Sequence, residues 1–448
     1  MSRKPSLVLI FCLFCGIVLI SAPAASGQKK VRKSTARAVS KKRAAAPKVK
    51  KTSDIAPLLA DVEIPGASGV LVETLRGKPI IDSFSDAPFN PASNAKIATA
   101  FAVLKAFGPE YRISTNVWTD GAVDPTTGTL IGNLFISGKD PLFSFANAIT
   151  IANELNKLGI KSVSGDLIVA DGFSINLSNS TAQSANSLFA TLVPSSRSEA
   201  ATRSWDIFQG YSGIFGDLSV PGVTFGGAVS VRPLPEKLTL LFSHESAPIK
   251  ETLKFTLCYS NNFVADRLGD LVGGPKAVEA IVEQGAFIQE DEFNLQTASG
   301  LGMNRVTPRA MMKLLRALRI LLMKSSMSFA DIMPVAGVDE GTLAGRFADG
   351  LVKGSVIGKT GTLGLTDSGV SSLAGEISTQ DGPVLFVIFN QRGSVPRFRN
   401  FQNYYVSLIQ GQFGGARPVL YDAMGLEARI AKTRISHPAP LLRSERIF

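Results

Sequence analysis

The residues in this chain whose spacing best suggests chemistry are a serine and a lysine three positions apart, Ser93 and Lys96. An apolar pattern at helical spacing, Ile97, Phe101 and Leu104, follows them directly and predicts a helix. Residues three apart share one face of a helix, so the Lys96 amine would reach the Ser93 hydroxyl. An amine that accepts the serine proton turns the hydroxyl into a nucleophile. The same spacing also fits a serine that only caps an ordinary helix.

Two further motifs favour the chemical interpretation. Ser260-Asn261-Asn262 lies at a break between helical patterns, and Lys359-Thr360-Gly361-Thr362 lies within a predicted strand. The order Ser-x-x-Lys, Ser-x-Asn, Lys-Thr-Gly resembles the active-site set of penicillin-binding proteins and serine β-lactamases. Each motif is short and frequent by chance. All three in this order, each in its expected structural context, are far more specific.

The resemblance covers most of residues 60–415. The family it indicates is the D-alanyl-D-alanine carboxypeptidase/endopeptidase family, the class C low-molecular-mass penicillin-binding proteins. The similar segments are Pro91-Ala92-Ser93-Asn94-Ala95-Lys96, Ser260-Asn261-Asn262-Phe263-Val264-Ala265-Asp266, Thr297-Ala298-Ser299-Gly300-Leu301 and Met333-Pro334-Val335-Ala336-Gly337. Ala298 stands where the family usually has glycine. The segment between Ser93 and Ser260 is shorter than in the larger members, which implies one inserted domain here.

The residue chemistry and the resemblance together assign roles to the motif residues. Ser93 is the expected nucleophile, and Lys96 is its base if a crowded cationic site keeps the amine partly neutral. The resemblance implies that Ser260 relays a proton to the leaving amine and that Asn262 binds the substrate amide. It also implies that Lys359-Thr360-Gly361-Thr362 binds the substrate. The terminal carboxylate of the substrate would be held by Lys359, Thr360 and Thr362. The backbone N–H groups of Ser93 and Thr362 would form an oxyanion hole.

The expected fold class is α+β, with the penicillin-binding/β-lactamase-like arrangement of an antiparallel sheet flanked by helices and an all-helical subdomain. The chain exceeds one typical domain, and residues 111–231 change to short β-type runs, so an inserted, mostly β subdomain is expected. The predicted parts are a signal peptide (1–27), a basic disordered linker (28–53), a transpeptidase-like peptidase domain (54–112 and 233–415), the inserted β-rich domain (113–232) and a C-terminal tail (416–448).

Secondary structure is predicted most firmly around the motifs. Paired strands are expected at 67–75 and 79–84, and three consecutive strands at 352–362, 368–377 and 383–390. Helices are expected at 249–271, with an interruption at the Ser260 motif, and at 307–324 and 399–409. Inside the insertion, one helix is expected at 144–158, and the Ser- and Asn-rich stretch 174–204 is interpreted as a long loop. The segment after residue 414 is interpreted as loose.

The net charge of +11 comes from one segment. Residues 29–51 contain 11 Lys and Arg residues and no acid, whereas residues 52–448 are close to neutral. This low-complexity segment cannot bury apolar surface and is expected to be disordered. It is either a solvated linker or a contact with an anionic wall polymer or membrane surface. Nucleic acid is not an expected partner, because the segment follows an export signal.

Residues 1–27 are interpreted as a secretory signal peptide. Arg3 and Lys4 precede an apolar run at 7–20 that is short for a membrane span, and Ala22-Pro23-Ala24 gives a small-x-small cleavage pattern. An uncleaved anchor remains the alternative. The localisation expected from this signal is the periplasm or cell envelope.

Cysteine and histidine are scarce in the chain. Cys12 and Cys15 lie in the apolar run, which leaves Cys258 alone, so neither an intramolecular disulfide nor a cysteine zinc cluster is expected in the processed protein. The expected chemistry needs no metal and no cofactor. A Ser-His-Asp triad would need His244 or His437, but His437 lies in a Pro-rich tail and His244 is interpreted as a loop residue.

The sequence therefore predicts an exported serine D,D-peptidase that acts on peptidoglycan stem peptides through an acyl-enzyme on Ser93, and that β-lactams inhibit. Two alternatives remain open. A serine β-lactamase would differ in its rate of deacylation, although no glutamate loop placed to activate a deacylating water is evident. A non-catalytic wall-binding protein would use its basic segment to bind, but an intact motif set argues against it. The balance between carboxypeptidase and endopeptidase activity is not set by the sequence, because both reactions use the same nucleophile.

Overall fold

A computed structural model describes residues 62–212 and 220–438 of the chain. The predicted signal peptide (1–27) and basic linker (28–53) lie outside these residues. The strands are β1 (Ala67–Thr74), β2 (Pro79–Ser83), β3 (Ser114–Thr119), β4 (Ala122–Asp124), β5 (Thr129–Ile131), β6 (Leu134–Gly138), β7 (Ser162–Val163), β8 (Leu167–Val169), β9 (Thr224–Phe225), β10 (Val229–Val231), β11 (Thr239–Glu245), β12 (Phe293–Asn294), β13 (Arg305–Val306), β14 (Val356–Leu363), β15 (Val370–Ile377), β16 (Val384–Gln391) and β17 (Arg434–Ser436).

The helices follow the same order along the chain. They are α1 (Ala95–Phe107), α2 (Phe145–Lys157), α3 (Thr181–Leu192), α4 (Glu199–Ser212), α5 (Ile249–Tyr259), α6 (Asn262–Leu271), α7 (Pro275–Ala286), α8 (Pro308–Met323), α9 (Val395–Gln412) and α10 (Leu426–Ile430). Within the described residues, no helix combines the length and the apolar character needed to cross a membrane.

The first sheet is antiparallel and has the strand order β14-β15-β16-β1-β2. Its central strand β16 is buried at seven of eight positions, so it reads as a continuous apolar run. Alternate residues point to opposite faces. Leu385, Val387 and Phe389 pack with α8 on one face, whereas Phe386 and Ile388 pack with α9 on the other. The paired strands and the three consecutive strands predicted from the sequence are confirmed.

Helix α1 lies at the centre of a helical cluster. Every residue from Ala95 to Leu104 is buried, and the core around it includes apolar side chains of α5, α6, α7 and α8. A helix that is apolar on all sides is expected to be enclosed in this way. Helix α8 begins as predicted, with the Thr307 side chain accepting a hydrogen bond from the Ala310 N–H and with Pro308 in the first turn. These helices hold the segment that contains Ser93.

The second large sheet has the order β10-β8-β6-β3-β11-β17, and a small sheet, β4-β5-β7-β9, is formed by strands from the same part of the chain. Most strands of these two sheets come from the predicted insertion at 113–232. Strand β11 lies beyond that range, yet it pairs with β3 from Ser114 to Thr119. Three helices, α2, α3 and α4, also belong to this part of the chain, so it is mixed rather than mostly β. The domain boundaries stay predictions.

The prediction of a long loop at 174–204 is wrong, because α3 and the beginning of α4 lie there. Ser180 caps helix α3, because its side chain accepts a hydrogen bond from the Gln183 N–H. Ala185, Leu188 and Leu192 are buried at helical spacing in the second core. Their periodicity is present in the sequence, but the surrounding Ser and Asn residues obscured it.

The described part of the predicted tail is ordered, which corrects the expectation that it is loose. It contains α10, and β17 pairs with β11 at the edge of the second sheet. The Arg429 and Lys432 side chains each approach the buried Glu251 carboxylate at 2.8 Å. A three-residue strand has no strong local signal, so its order depends on these distant partners. His244 is likewise not in a loop, because it lies on β11 and is fully buried.

A buried ion pair connects α5 to the loop that precedes β14. Lys254 Nζ lies 2.6 Å from Asp339 Oδ2, with side-chain exposures of 0% and 3%. The same carboxylate oxygen accepts from the Val335 N–H, and the Tyr421 hydroxyl donates to Oδ1. Every charge and acceptor in this cluster is therefore satisfied by another member.

We expect Asp339→Ala to lower the free energy of unfolding by about 3–5 kcal/mol, because it leaves the Lys254 ammonium buried without its partner. Equilibrium unfolding in urea measures this. Asp349→Ala, an exposed carboxylate in the same connection, is the matched control and is expected to change the free energy by less than about 0.5 kcal/mol. Equal small changes in both variants would contradict the prediction.

Candidate active site

Ser93 lies in a 3-10 turn, Ala92–Asn94, directly before α1. The turn starts with an unusual backbone, since Ala92 has a φ of 47° in the left-handed region. The Asn90 side chain accepts a hydrogen bond from the Ala92 N–H at 3.0 Å and so supports this conformation. No side-chain cap is formed at the start of α1, so the alternative in which Ser93 is an ordinary helix cap is not what the structure has.

The Lys96 amine lies next to the Ser93 hydroxyl and is almost completely buried. Its Nζ donates to Ser93 Oγ at 3.0 Å, to Asn262 Oδ1 at 2.7 Å and to the Ser299 carbonyl at 2.6 Å. Burial lowers the pKa of Lys96 to about 7, while the negative charge of Asp266 acts in the opposite direction. A substantial fraction of this amine is therefore neutral near pH 7.

The second motif is positioned by the break between α5 and α6. Ser260 ends α5 in the left-handed conformation, with a φ of 56°. Asn261 caps α6 by accepting a hydrogen bond from the Val264 N–H, which orients the neighbouring Asn262. Asn262 and Ser260 therefore lie on either side of a sharp reversal, and each contacts one of the two motif lysines.

The third motif places Lys359 against Ser260. The Lys359 amine is fully buried and donates to Ser260 Oγ at 2.8 Å and to the Thr360 carbonyl at 2.6 Å. Burial, reinforced by the charge of Lys96, holds the pKa of Lys359 well below its usual range. Two lysine amines thus share one site, and the charge of Lys96 destabilises the charged form of Lys359.

Gly361 brings strand β14 against the nucleophile turn. A Cβ atom on Gly361 would lie 2.9 Å from the Ser93 backbone nitrogen and 2.7 Å from the Pro91 carbonyl oxygen. On the adjacent strand, the Ser372 hydroxyl donates to the same Pro91 oxygen at 2.7 Å. Only glycine permits this approach without displacement. Thr362, next along the strand, is exposed beside Ser93.

The structure brings together the eight residues predicted for the site, with Thr362 placed by its position after Gly361 on β14 and with its hydroxyl bound by Arg399. They are Ser93, Lys96, Ser260, Asn262, Lys359, Thr360, Gly361 and Thr362. Thr360 takes part through its backbone carbonyl, which accepts from the Lys359 amine. The histidines do not take part. His244 Nε2 lies 3.2 Å from the Asn147 side chain, and burial lowers its pKa to about 4, while His437 contacts Glu154.

Several residues of the site had no assigned role at the sequence level. Asp266 accepts a hydrogen bond from the Ser299 N–H at 2.8 Å, which fixes the carbonyl that contacts Lys96. Asp266 is four residues after Asn262, so helical spacing could have indicated it. Gly300 is packed so closely on Ala92 that a Cβ atom would lie 2.0 Å from the Ala92 carbonyl oxygen.

A second group of missed residues connects the nucleophile turn to the β14–β15 hairpin. The Asn90 side chain donates to Asp367 at 2.8 Å, and Arg305 binds the same carboxylate through two nitrogens. At the end of β14, Arg399 Nη2 donates to Thr362 Oγ1 at 3.0 Å. These contacts join segments far apart in sequence, so no local pattern could have revealed them.

The fold and the three-motif site define a class of protein, and comparisons with known proteins agree on it. The model of the D-Ala-D-Ala carboxypeptidase 3 (S13) family matches residues 51–186 and 196–409, more than half of the chain. The chain belongs to this family and is a serine D,D-peptidase, as the motifs predicted. It is 24% identical to a D-alanyl-D-alanine carboxypeptidase of Actinomadura sp. strain R39, over 77% of this chain and 81% of that protein.

Solved structures show the same fold. Bd3459, a predatory peptidoglycan endopeptidase from Bdellovibrio bacteriovorus, superposes with a TM-score of 0.68 at 21% identity, over 84% of this chain and 100% of that one. Penicillin binding protein 4 from Haemophilus influenzae superposes with a TM-score of 0.59 at 22% identity, over 80% and 99%. The predicted α+β fold of the penicillin-binding type is confirmed.

We expect the Lys96 amine to titrate near pH 7 in the folded protein, whereas an exposed lysine titrates near 10.4. NMR titration of protein labelled at the lysine side chains measures this, with the signal assigned by its loss in Lys96→Gln. Asp266→Asn is expected to lower the pKa further, since it removes the negative charge that stabilises the ammonium.

The matched control is Asp270→Asn, an exposed acid on the same helix, which is expected to leave the Lys96 titration in place. A Lys96 signal that titrates near pH 10 would show that burial does not govern this amine, and insensitivity to Asp266→Asn would show that the Asp266 charge does not act on it.

Proposed function

We propose that this chain is an exported D-Ala-D-Ala peptidase that hydrolyses peptidoglycan stem peptides through an acyl-enzyme on Ser93, and that β-lactams acylate the same serine. The observation that carries the proposal is the 3.0 Å contact between Ser93 Oγ and a buried Lys96 amine. The lowered pKa of Lys96 supports it, because a neutral amine is a competent base at neutral pH.

In the first step, Ser93 Oγ attacks the carbonyl carbon of the penultimate D-Ala. Its proton passes to the neutral Lys96 amine, and a tetrahedral oxyanion forms. The N–H groups of Ser93 and Thr362 are the proposed donors to that oxyanion, and each such donor contributes about 3–4 kcal/mol in well-studied hydrolases. The close approach at Gly361 supports this assignment, because it brings the backbone next to Thr362 against Ser93.

In the second step, the bond to the leaving amine breaks and that nitrogen takes up the proton that Lys96 accepted from Ser93. Ser260 is the proposed relay, because its hydroxyl contacts the buried Lys359 amine at 2.8 Å. Asn262 is proposed to bind the substrate amide, and its contact with Lys96 holds its side chain at the site. Water then hydrolyses the ester on Ser93, which restores the hydroxyl and releases the shortened peptide.

The substrate is proposed to lie along the second half of the outer edge of β14, from Lys359 to Leu363. This strand is at the end of the first sheet, and only its first half, Val356 to Gly358, is paired with the 334–336 segment, so the rest of the edge can pair with an extended peptide. Lys359, Thr360 and Thr362 would then hold the terminal carboxylate, with Gly361 allowing the peptide close to Ser93. A carboxylate subsite on the leaving side suits cleavage beside a free C-terminus, and it also accepts the carboxylate of a penicillin.

We expect the purified protein to take up one fluorescent penicillin covalently, and Ser93→Ala to take up none, because the acylated oxygen is then absent. Gel fluorescence after denaturation measures the bound label. Ser325→Ala, which removes an exposed serine hydroxyl elsewhere, is the matched control and is expected to label like the wild type.

No label on the wild type, or equal label on Ser93→Ala, would reject the mechanism. An unlabelled wild-type protein would favour a non-catalytic wall-binding role. Label that forms and is lost within seconds, with turnover of free penicillin, would favour a β-lactamase.

We further propose that residues 1–27 direct export and that the basic segment at 28–53 binds an anionic polymer or lipid of the envelope. Peptidoglycan lies outside the cytoplasm, so a peptidase that cuts it must be exported. The concentration of 11 cationic side chains without an acid at 29–51 supports an electrostatic contact, which does not require a folded segment.

In fractionated cells, we expect a mature chain that begins within residues 25–28 and remains in the envelope fraction at low salt. Raising the salt from 0.1 to 1 M should release it, because the screening length falls from about 10 to 3 Å. A variant with Lys and Arg at 29–51 replaced by Gln is expected in the soluble fraction at all salt concentrations. A chain that keeps Met1 and resists salt would instead indicate an uncleaved anchor.

A further inference from the structure

Arg399 extends the site beyond the three motifs. Its side chain is exposed on α9, and Nη2 donates to Thr362 Oγ1 at 3.0 Å. Thr362 follows Gly361, whose missing Cβ would lie 2.9 Å from the Ser93 nitrogen. The guanidinium is thus separated from the nucleophile turn only by the last residues of the Lys-Thr-Gly motif.

A second guanidinium lies behind the first. Arg346 donates to the Asn403 side chain through two nitrogens, at 2.9 and 2.7 Å, and to the Gln402 side chain at 3.2 Å. Gln402 in turn contacts Ser371, the residue directly opposite Thr362 in the β14–β15 pair. Arg399 and the two residues that bind Arg346 therefore lie on the same turn of α9, next to the same end of β14.

Neither guanidinium forms an ion pair with a carboxylate among the residues that the structure describes. The bonded partners of Arg346 are neutral amides, and that of Arg399 is a hydroxyl. Burial, together with the positive charge of Arg399, lowers the pKa of Arg346 to about 10. By contrast, Arg305 is paired with a carboxylate, that of Asp367 in the loop between β14 and β15. Two like charges without a counter-ion favour the binding of an anion.

The motif lysine contributes to that anion site chiefly as a hydrogen-bond donor and supplies little of its positive charge. Lys359 is fully buried, its amine is directed at Ser260 and the Thr360 carbonyl, and its pKa is held well below the ordinary value. A guanidinium keeps its charge at all physiological pH values and binds a carboxylate through two parallel hydrogen bonds.

We propose that Arg399, backed by Arg346, is the cationic part of a carboxylate subsite that recognises the free carboxylate on the leaving residue of the peptide. Thr362 supplies the hydroxyl of the subsite, and the Lys359 amine supplies a hydrogen bond but little charge. The inference rests on the proposed peptidase function and names the group that makes the enzyme specific for a leaving residue with a free α-carboxylate.

Paired substrates test this subsite directly. One is an acyl-D-Ala-D-Ala peptide with a free C-terminal carboxylate, and the other is the same peptide ending in a carboxamide. In Arg399→Ala, we expect kcat/KM for the acid to fall about 10- to 100-fold, the loss expected for one charge-assisted hydrogen bond. The ratio of kcat/KM for acid over amide should fall at least tenfold, and Arg399→Lys should retain part of that ratio.

Arg397→Ala is the matched control, since Arg397 is exposed on the same helix two positions earlier and has no contact with the motif among the described residues. It is expected to keep the wild-type ratio within about twofold. If Arg399→Ala leaves the ratio unchanged, or lowers both substrates equally, the carboxylate subsite is rejected. If the wild-type protein takes up penicillin but Arg399→Ala leaves the ratio of kcat/KM for acid over amide unchanged, only the subsite is rejected. A wild-type protein that takes up none rejects the proposed function and the subsite together.

Discussion

The burial of two lysine amines in one site is the constraint on which the rest of this structure depends. Lys96 and Lys359 are both removed from water, and the charge of Lys96 raises the cost of charging Lys359. The atoms that touch Lys96 are neutral oxygens, and the nearest acid, Asp266, acts from behind the Ser299 backbone. An ammonium without a touching carboxylate is expensive to bury, so the surroundings favour the neutral amine. The fold thereby prepares a base before any substrate is bound.

That electrostatic arrangement requires very close packing of backbone. Water must be excluded from Lys96, and three chain segments close over it: the Ser93 turn, the loop at Ser299 and the β14 strand. Gly300 and Gly361 allow the second and third segments to touch the first at distances that a Cβ atom would prevent. The left-handed backbone at Ala92 is held by Asn90, which is also bound to Asp367. A strained turn of this kind persists only when its surroundings determine it, and here they do so from both sides.

The sequence predicted the parts of the fold whose signals are local. The apolar run of β16 and the cap at Thr307 lie within a few residues of what they determine. The eight motif residues could be assigned to one site because three short patterns occur in a known order. Helix α3 was missed because a Ser- and Asn-rich stretch hides three buried positions at helical spacing. Arg399 and Asn90 were missed for a different reason: their partners are distant in sequence, and only the assembled fold brings them together.

The ordered end of the chain shows how distant contacts reach the site. Helix α5 carries Ser260 at its C-terminus, and its buried Glu251 and Lys254 face the segment from 421 to 432. Arg429 binds both Glu251 and the Tyr421 hydroxyl, which in turn donates to Asp339, the partner of Lys254. Each member of this chain of contacts satisfies a buried charge that would otherwise cost several kcal/mol. The orientation of α5, and with it the position of the hydroxyl that meets Lys359, therefore depends on a segment that lies more than 150 residues away along the chain.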